Sequence, residues 1–267
     1  MPQVESTSPQ NGPEYDSSTV QFDLDSVFNV DDYLYYYSDL LTDERTEAEV
    51  ASIVKIMQLE EPVRILDLAC GFGRHTNRLA GLGHRMTGVD YMPGFLEIAR
   101  QDAQAHGVEV DYIQGDMRKI EYKEEFDAVF LLFTAFGYFS DEENLQVMKN
   151  ISKALKPNGR LLFDMPDRDT NLKDRQPCRV VEKDGNLMID RISFDSMTGQ
   201  QINRRIIIRD GIRKDLPFKI RLYNINEIRD LLKQAGLQLS QIYGGWDRQP
   251  VSPETRRMII IGRKPGN

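Results

Sequence analysis

Three aspartates and a glycine-rich turn are spaced so that they could act together on one ligand. Asp67-Leu68-Ala69-Cys70-Gly71-Phe72-Gly73 closes a short apolar run (Val63, Ile65, Leu66, Leu68) and precedes residues at helical spacing (Thr76, Leu79, Ala80). That pattern is a strand, a turn and a helix. Glycine carries no Cβ, so the backbone of such a turn can come close to a ligand, and the helix behind it offers unpaired N–H groups. Asp90 ends the next apolar run, with Tyr91 beside it. A carboxylate there can accept two hydrogen bonds from ribose hydroxyls, at the sheet edge where ligands bind. Asp116 follows the third run, where it can accept from an exocyclic amino group. Met117, next to it, offers an apolar surface to a purine. Each acid alone could simply cap a helix. Three of them, each after a successive strand, are far more specific.

The turn is not a dinucleotide fingerprint. A G-x-G-x-x-G/A motif requires Gly or Ala three residues past Gly73, and that position is Thr76. Tyr138, Asp164, Asp167 and Tyr223 fall where a strand edge would bring them near the same ligand, and Tyr138 is the candidate catalytic residue. His75 is expected to cap or pack within its helix, and Trp246 to pack in the core or wall a pocket. With three histidines (His75, His84, His106) and no Cys/His cluster, no metal site is expected.

These residues need a scaffold, and the chain predicts one. Strands at 63–68, 85–90, 108–113, 126–133 and 160–165 alternate with helices at 74–82, 94–105 and 141–155, the last followed by a turn at 156–159. Alternation on that scale implies βαβ crossovers and a parallel sheet covered on both faces. After Pro166 the rhythm changes. Strands at 178–184, 187–195, 200–208 and 216–223 are joined by Asp184-Gly185, Thr198-Gly199 and Asp210-Gly211, which favour hairpins. Helix 225–235 and strands 237–243 and 256–263 close the chain. The expected division is a disordered tail at 1–21, an N-terminal helical lid at 22–60, a core at 61–166 and 225–267, and an antiparallel insertion at 167–224. Within the lid, Thr42 starts a helix, and four tyrosines (Tyr33, Tyr35, Tyr36, Tyr37) either pack on the core or cover the site.

Composition narrows the class. The 267 residues are 40% hydrophobic and 28% charged, as in ordinary globular proteins. No apolar run approaches the roughly 20 residues of a membrane span. The N-terminus is too polar and acidic to be a signal peptide. Two distant cysteines, Cys70 and Cys178, make no disulfide framework, so a cytoplasmic location is expected. The net charge of −8 disfavours a nucleic-acid partner. The segment from Arg168 to Arg221 is nevertheless basic, with 13 Lys/Arg against 8 Asp/Glu. It is either a solvated sheet face or a patch for an acidic partner.

The motifs ILDLACGFGRH, MTGVDYM, GDMR, FDAVFLLF and LKPNGRLLFDMP, in this order and spacing, resemble the class I S-adenosylmethionine-dependent methyltransferases. The likeness runs from about Asp31 to Arg263. Thr42-Asp43-Glu44-Arg45 behind the tyrosines, Phe136-Gly137-Tyr138-Phe139, and Arg221-Leu222-Tyr223 resemble a subgroup acting on small molecules. The resemblance implies a Rossmann-like α/β fold, doubly wound, with seven strands in the order 3-2-1-4-5-7-6 and strand 7 antiparallel, the β insertion following strand 5. It implies that Asp67 and the turn Ala69, Cys70, Gly71 and Gly73 lie near the methionine moiety of S-adenosylmethionine, Asp90 at the ribose, and Asp116 and Met117 at the adenine, with Tyr91 also among the cofactor-binding residues. It also implies a carboxylate partner before the first strand, for which Arg45 and Tyr36 (or Tyr37) are the candidates. Phe72 departs from the pattern, since a smaller residue often stands between those glycines.

The expected function is methyl transfer from S-adenosylmethionine to a small-molecule acceptor, by in-line displacement at the sulfonium. The leaving group is already excellent, so the protein mainly orients the acceptor and excludes water. The Asn/Asp-Pro-Pro-Tyr sequence by which methyltransferases of DNA bases and protein glutamine resemble one another is absent after the fourth strand. Besides a nicotinamide oxidoreductase, against which Thr76 counts, two alternatives stand. One is a methyltransferase acting on RNA or protein through the basic insertion (Arg204, Arg205, Arg209, Arg213, Lys214). The other is a non-catalytic S-adenosylmethionine-binding oligomer. The hairpin edges suggest a homodimer through the insertion.

Overall fold

The computed structural model describes residues 23–266, so the tail expected at 1–21 lies outside the described residues. Three helices come first: α1 (Leu24–Val27), α2 (Val30–Tyr37) and α3 (Asp43–Met57). Thr42 caps α3, accepting a hydrogen bond from the Arg45 N–H. Strands and helices then alternate: β1 (Arg64–Leu68), α4 (Arg74–Gly81), β2 (Arg85–Asp90), α5 (Pro93–His106), β3 (Val110–Gln114), β4 (Phe126–Leu131), α6 (Asp141–Ala154) and β5 (Leu155–Pro166). A short helix, α7 (Arg168–Lys173), leads to β6 (Cys178–Lys183), β7 (Asn186–Asp195), β8 (Gln200–Arg209) and β9 (Ile212–Arg221). Helix α8 (Ile225–Gln234), β10 (Gln238–Tyr243) and β11 (Arg257–Arg263) complete the chain.

The main sheet runs β3-β2-β1-β4-β5-β11-β10, with β11 antiparallel to both neighbours. Counting its own strands in chain order gives 3-2-1-4-5-7-6, as expected. β4 shows why its apolar run sits at the centre. Val129 and Leu131 join a core beneath α6 and α8, with Met148, Ile151 and Ile228. Ala128 and Phe130 enter the opposite core beneath α3 and α4, with Ile53, Met57 and Leu79. Trp246 packs against that second core.

The insertion is a separate antiparallel sheet, β6-β7-β8-β9. Its inner face (Met188, Ile207, Leu216, Phe218, Ile220) packs on Val27 and Tyr36 of α1 and α2. It is pinned to the core at Arg221. The Arg221 N–H donates to the Gly137 carbonyl at 2.7 Å, and its guanidinium reaches Glu227 at 2.6 Å. At Gly137, φ is +105° and a Cβ would stand 2.6 Å from the Arg221 carbonyl, so only glycine fits that crossing.

Several boundaries differ from the sequence expectation. β4 stops at Leu131 because Phe133 and Thr134 take left-handed φ of 60° and 62°. The turn at 156–159 is absorbed into β5: its residues bond to the chain end, Asn158 N–H to the Lys264 carbonyl and Lys264 N–H to the Gly159 carbonyl. β9 begins at Ile212, not 216, and tolerates Pro217 because it is an edge strand that needs no outward donor there. α7 has no counterpart in the expectation. Its six residues carry too little periodicity to signal it, and Asp167 caps it.

Candidate active site

The C-terminal edge of the parallel strands opens into a cavity that brings most of the expected residues together. Asp67, Ala69, Cys70, Gly71, Asp90, Tyr91, Asp116, Met117 and Tyr138 all line it. Gly73, Arg45 and Tyr36 do not.

The glycine turn is tied together from below. Gly71, at φ +56°, donates its N–H to Asp90 Oδ2 at 2.8 Å, and Met92 N–H donates to Oδ1 at 2.8 Å. One carboxylate therefore joins the ends of β1 and β2. Gly73 caps α4 at φ +77°, yet its missing side chain serves packing, not ligand approach. A Cβ there would lie 2.2 Å from the Tyr112 hydroxyl. That hydroxyl donates to Asn77 on α4 at 2.6 Å.

Burial shapes the acids. Asp67 is 2% exposed, and burial together with the charge of Asp90 pushes its carboxyl up to about 7, against the hydrogen bond from Thr76 at 2.6 Å. Burial also raises Asp90, opposed by the N–H groups it accepts. Cys70 is held as the neutral thiol by the same desolvation. Asp116 is the opposite case. Burial works against its charge, but Arg118 overrides it through a bidentate pair, with Nη2 at 2.7 Å from Oδ2, and holds the carboxyl below its usual range. Arg118 also reaches Glu143 at 2.6 Å and lies over the Phe139 ring at 4.3 Å.

The wall nearest α3 is cationic. Glu49, buried at 5% exposure, accepts from Arg74 Nη1 at 2.5 Å and meets His75 Nε2 at 2.9 Å; Arg45 Nε donates to its other oxygen at 2.9 Å. Burial opposes the Glu49 charge, yet the His75 hydrogen bond and the Arg74 charge keep it ionised. Arg74 is 7% exposed and lines the cavity, and its Nη2 is buried without a hydrogen-bond partner. Two guanidinium groups thus share one carboxylate, with one nitrogen still unsatisfied. Arg45 stands behind this wall, outside the cavity.

The roof comes from α1, α2 and the segment after β4. On α2, residues four apart share a face. Tyr33 lines the cavity and stacks on Tyr37 at 4.7 Å between centroids. Tyr36 sits on another face, buried against the insertion with its hydroxyl directed at the Ile208 carbonyl, which corrects its expected place at the cofactor. Leu24, Phe28 and Tyr138 complete the apolar end, the Phe28 and Tyr138 rings meeting edge-on at 5.4 Å. Burial raises the Tyr138 phenol well above its ordinary value. Tyr223 instead bonds Asp141 and Asn144, and Asp167 caps α7. Among the described residues no group of three or more His, Cys, Asp or Glu is arranged to hold a metal.

Sequence reasoning missed Glu49, Arg74 and Arg118. Arg74 and Arg118 stand inside the recognised motifs, one at the first position after the glycine turn and the other in Gly115-Asp116-Met117-Arg118. Glu49 had only its place on α3.

Residues 65–159 match the family model described as a methyltransferase domain. A candidate methyltransferase of Geobacillus sp. (strain WCH70) is 31% identical over 244 residues, covering 87% of this chain and 98% of that protein. The chain belongs to the class I S-adenosylmethionine-dependent methyltransferases. It is also similar to a dTDP-4-amino-2,3,4,6-tetradeoxy-D-glucose N,N-dimethyltransferase of Saccharopolyspora spinosa, at 26% identity over 210 residues, covering 74% of this chain and 81% of that one. An S-adenosylmethionine-dependent methyltransferase from Clostridium acetobutylicum ATCC 824 shares the fold, with a TM-score of 0.76 at 19% identity, covering 90% of this chain and all of that one. The cavity suits such a methyltransferase's cofactor chemically. It has a cationic end at Arg74, a buried carboxylate at the end of β2, and apolar walls between them. The bound cofactor supplies an electrophilic methyl group on a sulfonium.

Proposed function

We propose that this methyltransferase acts on a small molecule, enclosed between the glycine turn and the aromatic roof. One observation carries the reading: aromatic and apolar side chains, Leu24, Phe28, Tyr33 and Tyr138, line one end of the cavity, and the insertion sheet packs on Phe28 and Tyr138. A chamber of that kind admits a compact molecule and excludes water, which in-line methyl transfer requires. The helices α1 to α3 act as the lid. The Saccharopolyspora spinosa relative is named for a small-molecule acceptor, a dTDP-linked amino sugar. Arg74 Nη2 receives the cofactor carboxylate, Asp67 faces its ammonium group, Asp90 the ribose hydroxyls, and Asp116 and Met117 the adenine. Tyr138 orients the acceptor atom.

The reading through the basic insertion is weaker. Four of the cations singled out there have carboxylate partners: Arg205 pairs with Asp190, Arg209 and Lys214 both with Asp32, and Arg213 with Asp215. A cytoplasmic location and pairing of two copies through the insertion sheet remain part of the proposal. Among the described residues no helix is long and apolar enough to cross a membrane.

The test begins with calorimetric titration of purified protein with S-adenosylmethionine, where micromolar, one-to-one binding is expected. Pooled small metabolites and, in parallel, total RNA and protein are then incubated with methyl-labelled cofactor. Binding followed by label transfer only to RNA or protein overturns the small-molecule reading. Absence of binding overturns the cofactor assignment.

A further inference from the structure

The turn after β4 is held in a conformation its residues do not favour. Phe133 and Thr134, neither of them glycine, adopt consecutive left-handed φ of 60° and 62°, a region that costs side-chain-bearing residues energy. Two residues from distant strands hold them there. Asp164, on β5 and 1% exposed, accepts the Phe133 N–H at 2.5 Å through Oδ1. Its other oxygen takes the guanidinium of Arg257, the first residue of β11. Arg257 also donates to the Thr134 hydroxyl at 2.5 Å. The turn so fixed sets the Phe133 ring within reach of two cations, with Arg45 at 5.5 Å and Arg74 at 5.2 Å from its centroid.

We infer that Asp164 and Arg257 are positioning residues that, through Phe133, aim Arg74 at the cofactor carboxylate. Neither lines the cavity, so neither need touch the ligand. Their action runs Arg257 to Asp164 and Thr134, to the backbone of Phe133, to its ring, to the Arg74 guanidinium. The inference rests on the proposed role of Arg74.

The test compares two ligands by calorimetry on the full chain. S-adenosylhomocysteine carries the amino-acid carboxylate; 5′-methylthioadenosine keeps the adenosine and sulfur and lacks it. Arg257→Met is expected to weaken S-adenosylhomocysteine about tenfold and to leave 5′-methylthioadenosine within about twofold. Glycine takes positive φ without strain, so Thr134→Gly added to Arg257→Met is expected to recover most of the loss. Wild-type affinity for S-adenosylhomocysteine in Arg257→Met, or equal loss of both ligands, overturns the inference. Should Arg257→Met not fold, Phe133→Leu decides: the same selective loss supports the strut, and unchanged binding removes it. A wild-type chain that binds S-adenosylhomocysteine, with Arg257→Met unaffected, sinks this inference alone. A wild-type chain that does not bind it overturns the functional reading and this inference together.

Discussion

Glu49 bonds one nitrogen of Arg74 at 2.5 Å and leaves the other, Nη2, buried without a partner on a side chain that lines the cavity. A buried, unsatisfied donor on a permanent cation costs folding energy unless an anion meets it. The cofactor carboxylate is the anion the proposed function brings there.

Arg74→Ala should therefore weaken S-adenosylhomocysteine by about 2 kcal/mol, roughly thirtyfold, the scale of a hydrogen bond to a charged group. Binding of 5′-methylthioadenosine should stay nearly unchanged. Calorimetry on both ligands checks the contrast, and equal losses would place the carboxylate elsewhere.

Asp90→Asn should behave differently. The ribose is common to both ligands, so both should weaken, by about 1.5 kcal/mol or roughly tenfold. Part of that loss follows from the turn itself, since the Asp90 carboxylate also accepts from Gly71 and Met92. A loss confined to S-adenosylhomocysteine would contradict the ribose assignment.

Cofactor binding should depend on pH through Asp67. Burial and Asp90 raise its carboxyl from 3.8 to about 7 in the free protein. A raised acid favours the protonated folded state, so this group's contribution to stability falls as pH rises from about 4 to about 7. A cationic ligand beside it favours the ionised form. Affinity should then climb with pH by up to roughly tenfold per unit below 7, level off above it, and release about one proton on binding near pH 6. Calorimetry in buffers of different ionisation enthalpy measures that proton. Asp67→Asn should abolish both the slope and the release, and a slope that survives in the variant would assign it to another group.

The two glycines of the turn should separate in stability. Gly73→Ala forces a Cβ to 2.2 Å from the Tyr112 hydroxyl and 2.9 Å from Ala99 Cβ, so it should cost about 2–3 kcal/mol. Gly71→Ala meets nothing within 4 Å and carries only the left-handed penalty, about 1 kcal/mol. Urea unfolding of the two variants measures the difference, and equal costs would refute the packing role of Gly73.

What the sequence disclosed and what it hid divide along chain distance. The strand of Ile65 to Leu68, its turn and its helix follow from apolar period and glycine chemistry within a few residues, and the sheet order came with the resemblance. Asp67, Asp90 and Asp116 could be found because each closes a strand of one parallel sheet. The cationic wall could not. It needs Glu49, on a helix ahead of the first strand, to meet Arg74 behind the glycine turn, and only folding brings them together. Asp164 and Arg257 meet through the antiparallel pairing of β5 and β11, a register that no local pattern encodes. The tyrosines of α2 were visible as a group. Which of them faces the ligand depended on helical phase, and the structure turns Tyr33 toward the cavity and Tyr36 away.

The most direct measurement is a crystal structure of the chain grown with S-adenosylhomocysteine. The ligand should lie in the cavity with its carboxylate on Arg74 Nη2, its ribose hydroxyls on Asp90 and its adenine beside Asp116 and Met117. Ligand density outside that cavity, or with the adenine at Arg74, would contradict the account.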